Sequence, residues 1–238
     1  MKNGRNVLEE LQYSMDSLRG NLHVLETNVS VEKQMEYFRF SEAVRSNFFG
    51  NHSLEEQMEV LNSDISSPSE IKYALAFLAT SGDVKAYRAI EAYSATHADE
   101  WTAMSLMQAR ITLESEFSDE RQVFISTGLG GKDDRLRFYA FFKSTGGKIF
   151  TDYQIKLIEK EIPYCIKNYQ GMIEELQIHD NYFTLLFLIH LQIDIKNMLE
   201  DAINECNQYG DFINKGFIIT NVKVFSEEEI QYELKRKE

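Results

Sequence analysis

Two short runs constrain this chain more than any other feature: Leu136-Arg137-Phe138-Tyr139-Ala140-Phe141-Phe142 and Tyr182-Phe183-Thr184-Leu185-Leu186-Phe187-Leu188-Ile189. Each is too short for a buried helix, is rich in aromatic or branched side chains, and follows a turn signal. That is the pattern of strands covered on both faces, at the centre of a sheet. A chain with two such runs must supply helices or loops for both sides of that sheet.

The elements around them fit this requirement. From residue 122 the order reads strand (122–127), turn, strand (136–143), helix (151–169), strand (172–178), turn, strand (182–191), helix (194–209), strand (217–225), then a polar tail. Thr151 with Gln154 and Asp194 are helix-start signals, and Gly171 and Gly210 are stops. Pro163 should kink or split the first of these helices, because it removes one backbone hydrogen bond.

Taken from Leu136, the order β-α-β-β-α-β is similar to that of ferredoxin-like domains. The resemblance implies a mostly antiparallel sheet with its first and third strands central, and those are the two apolar runs. It leaves the place of the strand at 122–127 open.

The first half is helical in pattern. Leu8, Leu11, Met15, Leu18, Leu22, Leu25 and Val29 alternate by three and four, which predicts a helix over 7–29, either a bundle helix or a dimerisation arm. A second helix carries two apolar stripes, Val31-Met35-Phe38 and Tyr37-Phe40-Val44-Phe48, and is expected to be buried on more than one side. Ser53 with Glu56 opens a helix ending near Asn62, and further helices follow over 70–80, 84–95 and 99–117. The run Ala74-Leu75-Ala76-Phe77-Leu78-Ala79-Thr80-Ser81-Gly82-Asp83-Val84 to Ile90 resembles a HEAT-like helical repeat over about 66–117. The resemblance implies a protein-binding helical layer; an ordinary bundle is the alternative.

The expected fold class is therefore α+β: an all-helical domain at 1–117, a boundary in the charged run Glu114 to Arg121, and a ferredoxin-like α/β sandwich at 118–238.

Charge and motif content bound the function. The net charge is −13 over 238 residues, and no basic run exceeds Lys235-Arg236-Lys237. This argues against nucleic acid and anionic membranes as partners and for a basic or neutral protein surface. No apolar stretch approaches a membrane span or a signal-peptide core, so a cytoplasmic location is expected. Cys165 and Cys206 lack metal or redox spacing and read as buried thiols. His23, His52, His97, His179 and His190 show no ligand spacing. The glutamate groups lie on polar faces.

Two glycine-rich segments are the most site-like. Ser126-Thr127-Gly128-Leu129-Gly130-Gly131-Lys132-Asp133-Asp134 has the glycines and the lysine of a phosphate loop, but lies between strands and carries two carboxylates, which favours a hairpin turn. Ser144-Thr145-Gly146-Gly147-Lys148 leads towards a helix and reads as a connector.

No catalytic, cofactor-binding or metal residues are assigned, and no cofactor is expected. The composition favours a non-catalytic interaction or adaptor protein, with homodimerisation an option. The alternatives are a ligand-sensing module that dimerises through the sheet, and an enzyme acting on a phosphorylated substrate at Gly128 to Asp134.

Overall fold

The computed structural model describes residues 22–46, 53–118 and 123–236. The chain forms two compact units, Met1–Ser126 and Thr127–Glu238. The class is the expected α+β, with helices first and an antiparallel sheet after them.

In the second unit, strands β4 (Arg135–Ser144) and β6 (Tyr182–His190) lie side by side, antiparallel and unbroken from Arg135↔His190 to Lys143↔Tyr182. Strand β5 (Met172–Ile178) flanks β6, and β7 (Ile213–Thr220) flanks β4. The two apolar runs are thus the central pair. A two-residue strand, β3 (Gly131–Lys132), also pairs with β4, near its start.

Alternation sends Ala140, Phe142, Phe183, Leu185, Phe187 and Ile189 to one face. There they meet helices α6 (Asp152–Asn168) and α7 (Ile195–Asn207) through Ile158, Ile162, Ile166, Met198, Ala202 and Ile203, all fully buried. Phe142 stacks on Phe183 with centroids 4.5 Å apart. Helix α6 runs without interruption through Pro163, contrary to the expected split. The buried stripe Ile158, Ile162 and Ile166 anchors it on both sides of the proline, and this packing outweighs the lost hydrogen bond.

The opposite face carries Tyr139, Phe141, Leu186 and Ile218, and its cover was not legible as such. The polar tail forms helix α8 (Glu227–Lys235), opened by a reciprocal Ser226–Glu229 capping box. Ile230 and Leu234 on α8, with Phe225 before it, pack against Tyr139 and Phe141. The last strand also begins earlier than the apolar pattern indicates, at Ile213 and not 217. Asn207 sets that start: its side chain accepts from the backbone N–H of Phe212 and Ile213 and donates to the Ile213 carbonyl at 2.8 Å.

In the first unit, helix α3 (Pro68–Ala79) is central, because every residue from Ala74 to Ala79 is buried. Around it stand α1 (Val31–Ser46), α2 (Leu54–Asn62), α4 (Val84–Ser94) and α5 (Glu100–Phe117). Ser53, Ser67, Asp83 and Asp99 cap α2 to α5 as their sequence positions suggest.

Two expectations are corrected here, and one placement left open is resolved. Residues 22–24, placed at the end of a helix over 7–29, form strand β1 (Leu22–Val24); the rest of that seam lies mostly outside the described residues. Strand β2 (Val123–Ile125) pairs in parallel with β1, which settles the strand at 122–127 in the first unit. Only one stripe of α1 is buried: Tyr37 and Val44 are inside, whereas Val31, Met35 and Phe38 are 37 to 49% exposed. A buried Gln34 decides which face turns inward. Its amide donates to the Val29 carbonyl at 2.8 Å and accepts from the Ser126 hydroxyl at 2.5 Å. Phe48 lies outside the described residues.

Truncating Phe187 to alanine removes a fully buried ring from the α6/α7 side of the sheet and should cost about 3–5 kcal/mol. Chemical denaturation followed by far-UV circular dichroism checks this; an unchanged midpoint would mean β6 is not central.

Candidate functional site

The glycine-rich segment at 126–134 is a turn whose backbone is already committed. Asp133 and Asp134 both take positive φ, 49° and 58°, as a two-residue hairpin between β3 and β4 requires. The Leu129 N–H donates to the Asn221 carbonyl at 3.0 Å. A Cβ at Gly128 would fall 1.9 Å from the Val222 carbonyl oxygen, so the glycine is there for close backbone packing. Arg137 holds the turn down: it donates to the Leu129 carbonyl at 2.7 Å and forms a two-pronged ion pair with Glu174 across β6. That pairing holds the Glu174 carboxyl below the usual carboxylate range. No phosphate cradle forms.

The other glycine-rich segment is different. Strand β4 ends at Ser144, whose N–H donates to the Asn181 carbonyl at 2.9 Å, and a short 3-10 turn follows over Thr145–Gly147. Gly146 and Gly147 take φ of 66° and 67°, in the left-handed region, and no atom lies within 4 Å of where their Cβ atoms would be. Beside them opens a cavity of about 360 Å³ lined by Lys143, Ser144, Gly146, Gly147, Lys235 and Arg236, with Asn181. The Ser144 side chain is 4% exposed, and its hydroxyl has no hydrogen-bond partner.

Two cations of this cavity come from the end of α8 and one from the end of β4. Lys143 also has a structural task, since its ammonium donates to the Glu233 carbonyl at 3.2 Å and the Arg236 carbonyl at 3.4 Å, closing the last turn of α8. One of its three protons stays available. Arg236 stands 3.6 Å from the Glu233 carboxylate and is largely exposed. Chemically, three cations and an open glycine turn suit an anion with several oxygen acceptors, phosphate above all.

The residues singled out in the sequence are otherwise dispersed. The His23 Nε2 lies 2.8 Å from a Glu114 carboxylate oxygen, next to a cavity of about 320 Å³ in the first unit that Tyr87, Glu91 and Arg110 also line. Of its charged groups, Arg110 pairs with Glu114 and Glu91 with Arg88. His97 stacks on Tyr93 and His179 on Tyr182, while His190 ends β6 opposite Arg135. His52 lies outside the described residues. Among the described residues no three His, Cys, Asp or Glu groups gather as metal ligands, and no helix is long and apolar enough to cross a membrane.

No family model and no curated protein matches the chain. Solved structures do. A candidate transposase from Deinococcus radiodurans R1 is similar at 12% identity and a TM-score of 0.35, over 42% of this chain and 86% of that one. A REP-associated tyrosine transposase bound to a REP hairpin is similar at 6% identity and a TM-score of 0.34, over 49% of this chain and 68% of that one.

These comparisons correct three expectations drawn from composition. The neighbours carry the name transposase, one of them bound to a REP hairpin, and against them the reading as a non-catalytic adaptor, the assignment as no enzyme, and the exclusion of nucleic acid in favour of a protein partner are withdrawn. Net charge averages over the surface: a chain at −13 still gathers three cations at one cavity.

Both cysteines are buried, free thiols. Burial pushes Cys165 up to about 11 and Cys206 up to about 12, and does the same to the Tyr139 phenol, up to about 12. Each raised group favours the folded state while it keeps its proton. That contribution is complete below the ordinary values of 9.0 for a thiol and 10.0 for tyrosine, and is lost as pH rises through 11 to 12. Thermal melts should hold steady to about pH 8.5 and fall above pH 9. A Cys206→Ser variant that flattens none of this fall would show that the thiol is not the group responsible.

Proposed function

We propose that the second unit binds a phosphate-bearing ligand at the cavity between the end of β4 and the end of α8. The observation that carries this reading is the convergence of Lys143, Lys235 and Arg236 on one cavity beside the open Gly146-Gly147 turn. The elements have reasons to meet there. Strand β4 must end where the 3-10 turn begins, and the Lys143 ammonium fixes the last turn of α8 over that point. The left-handed glycines keep side chains out of the opening, so a tetrahedral anion can reach the backbone.

In this arrangement Lys235 and Arg236 supply charge from outside, and Lys143 contributes its remaining proton from the end of β4. The Glu233 carboxylate beside Arg236 limits the net charge of the site, which suits a phosphate monoester or diester more than a polyanion in a fully cationic cleft.

Isothermal titration calorimetry with inorganic phosphate and pyrophosphate tests this. Lys235→Ala is the informative variant, because Lys235 is exposed and has no place in the core. It should weaken phosphate about tenfold, the worth of one charge-assisted hydrogen bond of about 1.5 kcal/mol, with the melting temperature unchanged. Affinity should also fall as salt rises past about 0.1 M. Equal affinity of wild type and variant, or no heat with either anion, overturns the reading.

A further inference from the structure

Lys143 and Arg236 line a second cavity as well, of about 300 Å³, which lies along β7 and α8. Its surroundings differ from those of the phosphate cavity. The floor is apolar, from Phe141 and Ile218 on the sheet. Its β7 side is Gly216, where a Cβ would meet only the Asn214 Oδ1, at 3.3 Å. The polar groups beside it are few: the Asn214 amide, whose oxygen already accepts from the Gly216 N–H at 2.7 Å, and the Glu233 carboxylate. The first cavity is cationic and open to oxygen acceptors; the second offers a flat apolar floor, one amide donor and one carboxylate acceptor.

From this pairing we infer that the phosphate arrives on a nucleotide whose base lies in the Gly216 cavity, with Lys143 and Arg236 standing between the two. The inference rests on the phosphate reading above and deepens it. A nucleobase is the common phosphate-linked group with a flat apolar face and, on its edge, an N–H that a carboxylate can accept and a carbonyl or ring nitrogen that an amide can meet. A sugar phosphate has no such face. A lipid phosphate would need an apolar channel longer than this cavity. Gly216 is the specificity-determining position, because a side chain there would occupy the space the base needs.

The experiment is calorimetric titration of the full chain with inorganic phosphate, ribose 5-phosphate, the four 5′-mononucleotides and a single-stranded decathymidylate. At least one mononucleotide should bind tenfold or more tighter than ribose 5-phosphate. Gly216→Val should abolish that advantage while leaving phosphate binding intact, with far-UV circular dichroism showing the fold retained; Asn214→Ala gives a milder form of the same loss. Decathymidylate binding tighter than its mononucleotide, with the same dependence on Gly216, assigns the nucleotide to a nucleic-acid strand; no such gain assigns it to a free nucleotide. Phosphate binding with no nucleotide advantage over ribose 5-phosphate, or an advantage that survives Gly216→Val and Asn214→Ala, overturns this inference and leaves the phosphate reading standing. Absence of phosphate binding overturns both.

Discussion

The pairing of β4 with β6 is the constraint on which the second unit depends. Nine consecutive residue pairs run from Arg135↔His190 to Lys143↔Tyr182 without a bulge. Because side chains alternate, a slip of one residue would carry Phe142, Phe183 and Phe187 from the α6/α7 core to the face under α8, and send Tyr139 and Arg137 the other way. The cost of that exchange fixes the register, and the register fixes where β4 ends. Ser144 and the Gly146-Gly147 turn stand at the cavity because the strand stops there.

The second face shows how a modest element completes such a sheet. Helix α8 has nine residues, three of them consecutive glutamates at its start, where the helix dipole favours negative charge. Ile230 and Leu234, one turn apart, rest on Tyr139 and Phe141. The Lys143 ammonium closes the other end. The same contacts that bury the sheet bring Lys235 and Arg236 to β4, so the cationic cavity is a consequence of packing as much as of composition.

What could be read in advance followed from local pattern. The two apolar runs named the central strands, and capping signals at Ser53, Thr151 and Asp194 placed helix starts to within a residue or two. In the Gly128 to Asp134 turn the hairpin at the two aspartates was legible, but its partner strand is β3 and not the strand at 122–127. Failures came where one or two side chains override pattern. Asn207 draws the start of β7 back to Ile213, and Gln34 chooses which stripe of α1 is buried. Helix α8 went unread although Ser226-Glu227-Glu228-Glu229 has the same capping-box spacing as the others, since two apolar residues among charges look like a solvated tail. The cavity itself was beyond local reading: Lys143 and Arg236 are 93 residues apart in sequence and meet only through the sheet.

The account stands on one claim, that the end of β4 and the end of α8 together form an anion site. Heteronuclear NMR titration with inorganic phosphate addresses it directly, because every residue reports at once. The account predicts amide shifts at Ser144, Gly146, Gly147 and Lys148 and at Lys235 and Arg236, saturating together. Shifts centred on Gly128 to Asp134, or on the His23 and Glu114 cavity of the first unit, with the β4 terminus silent, would contradict it.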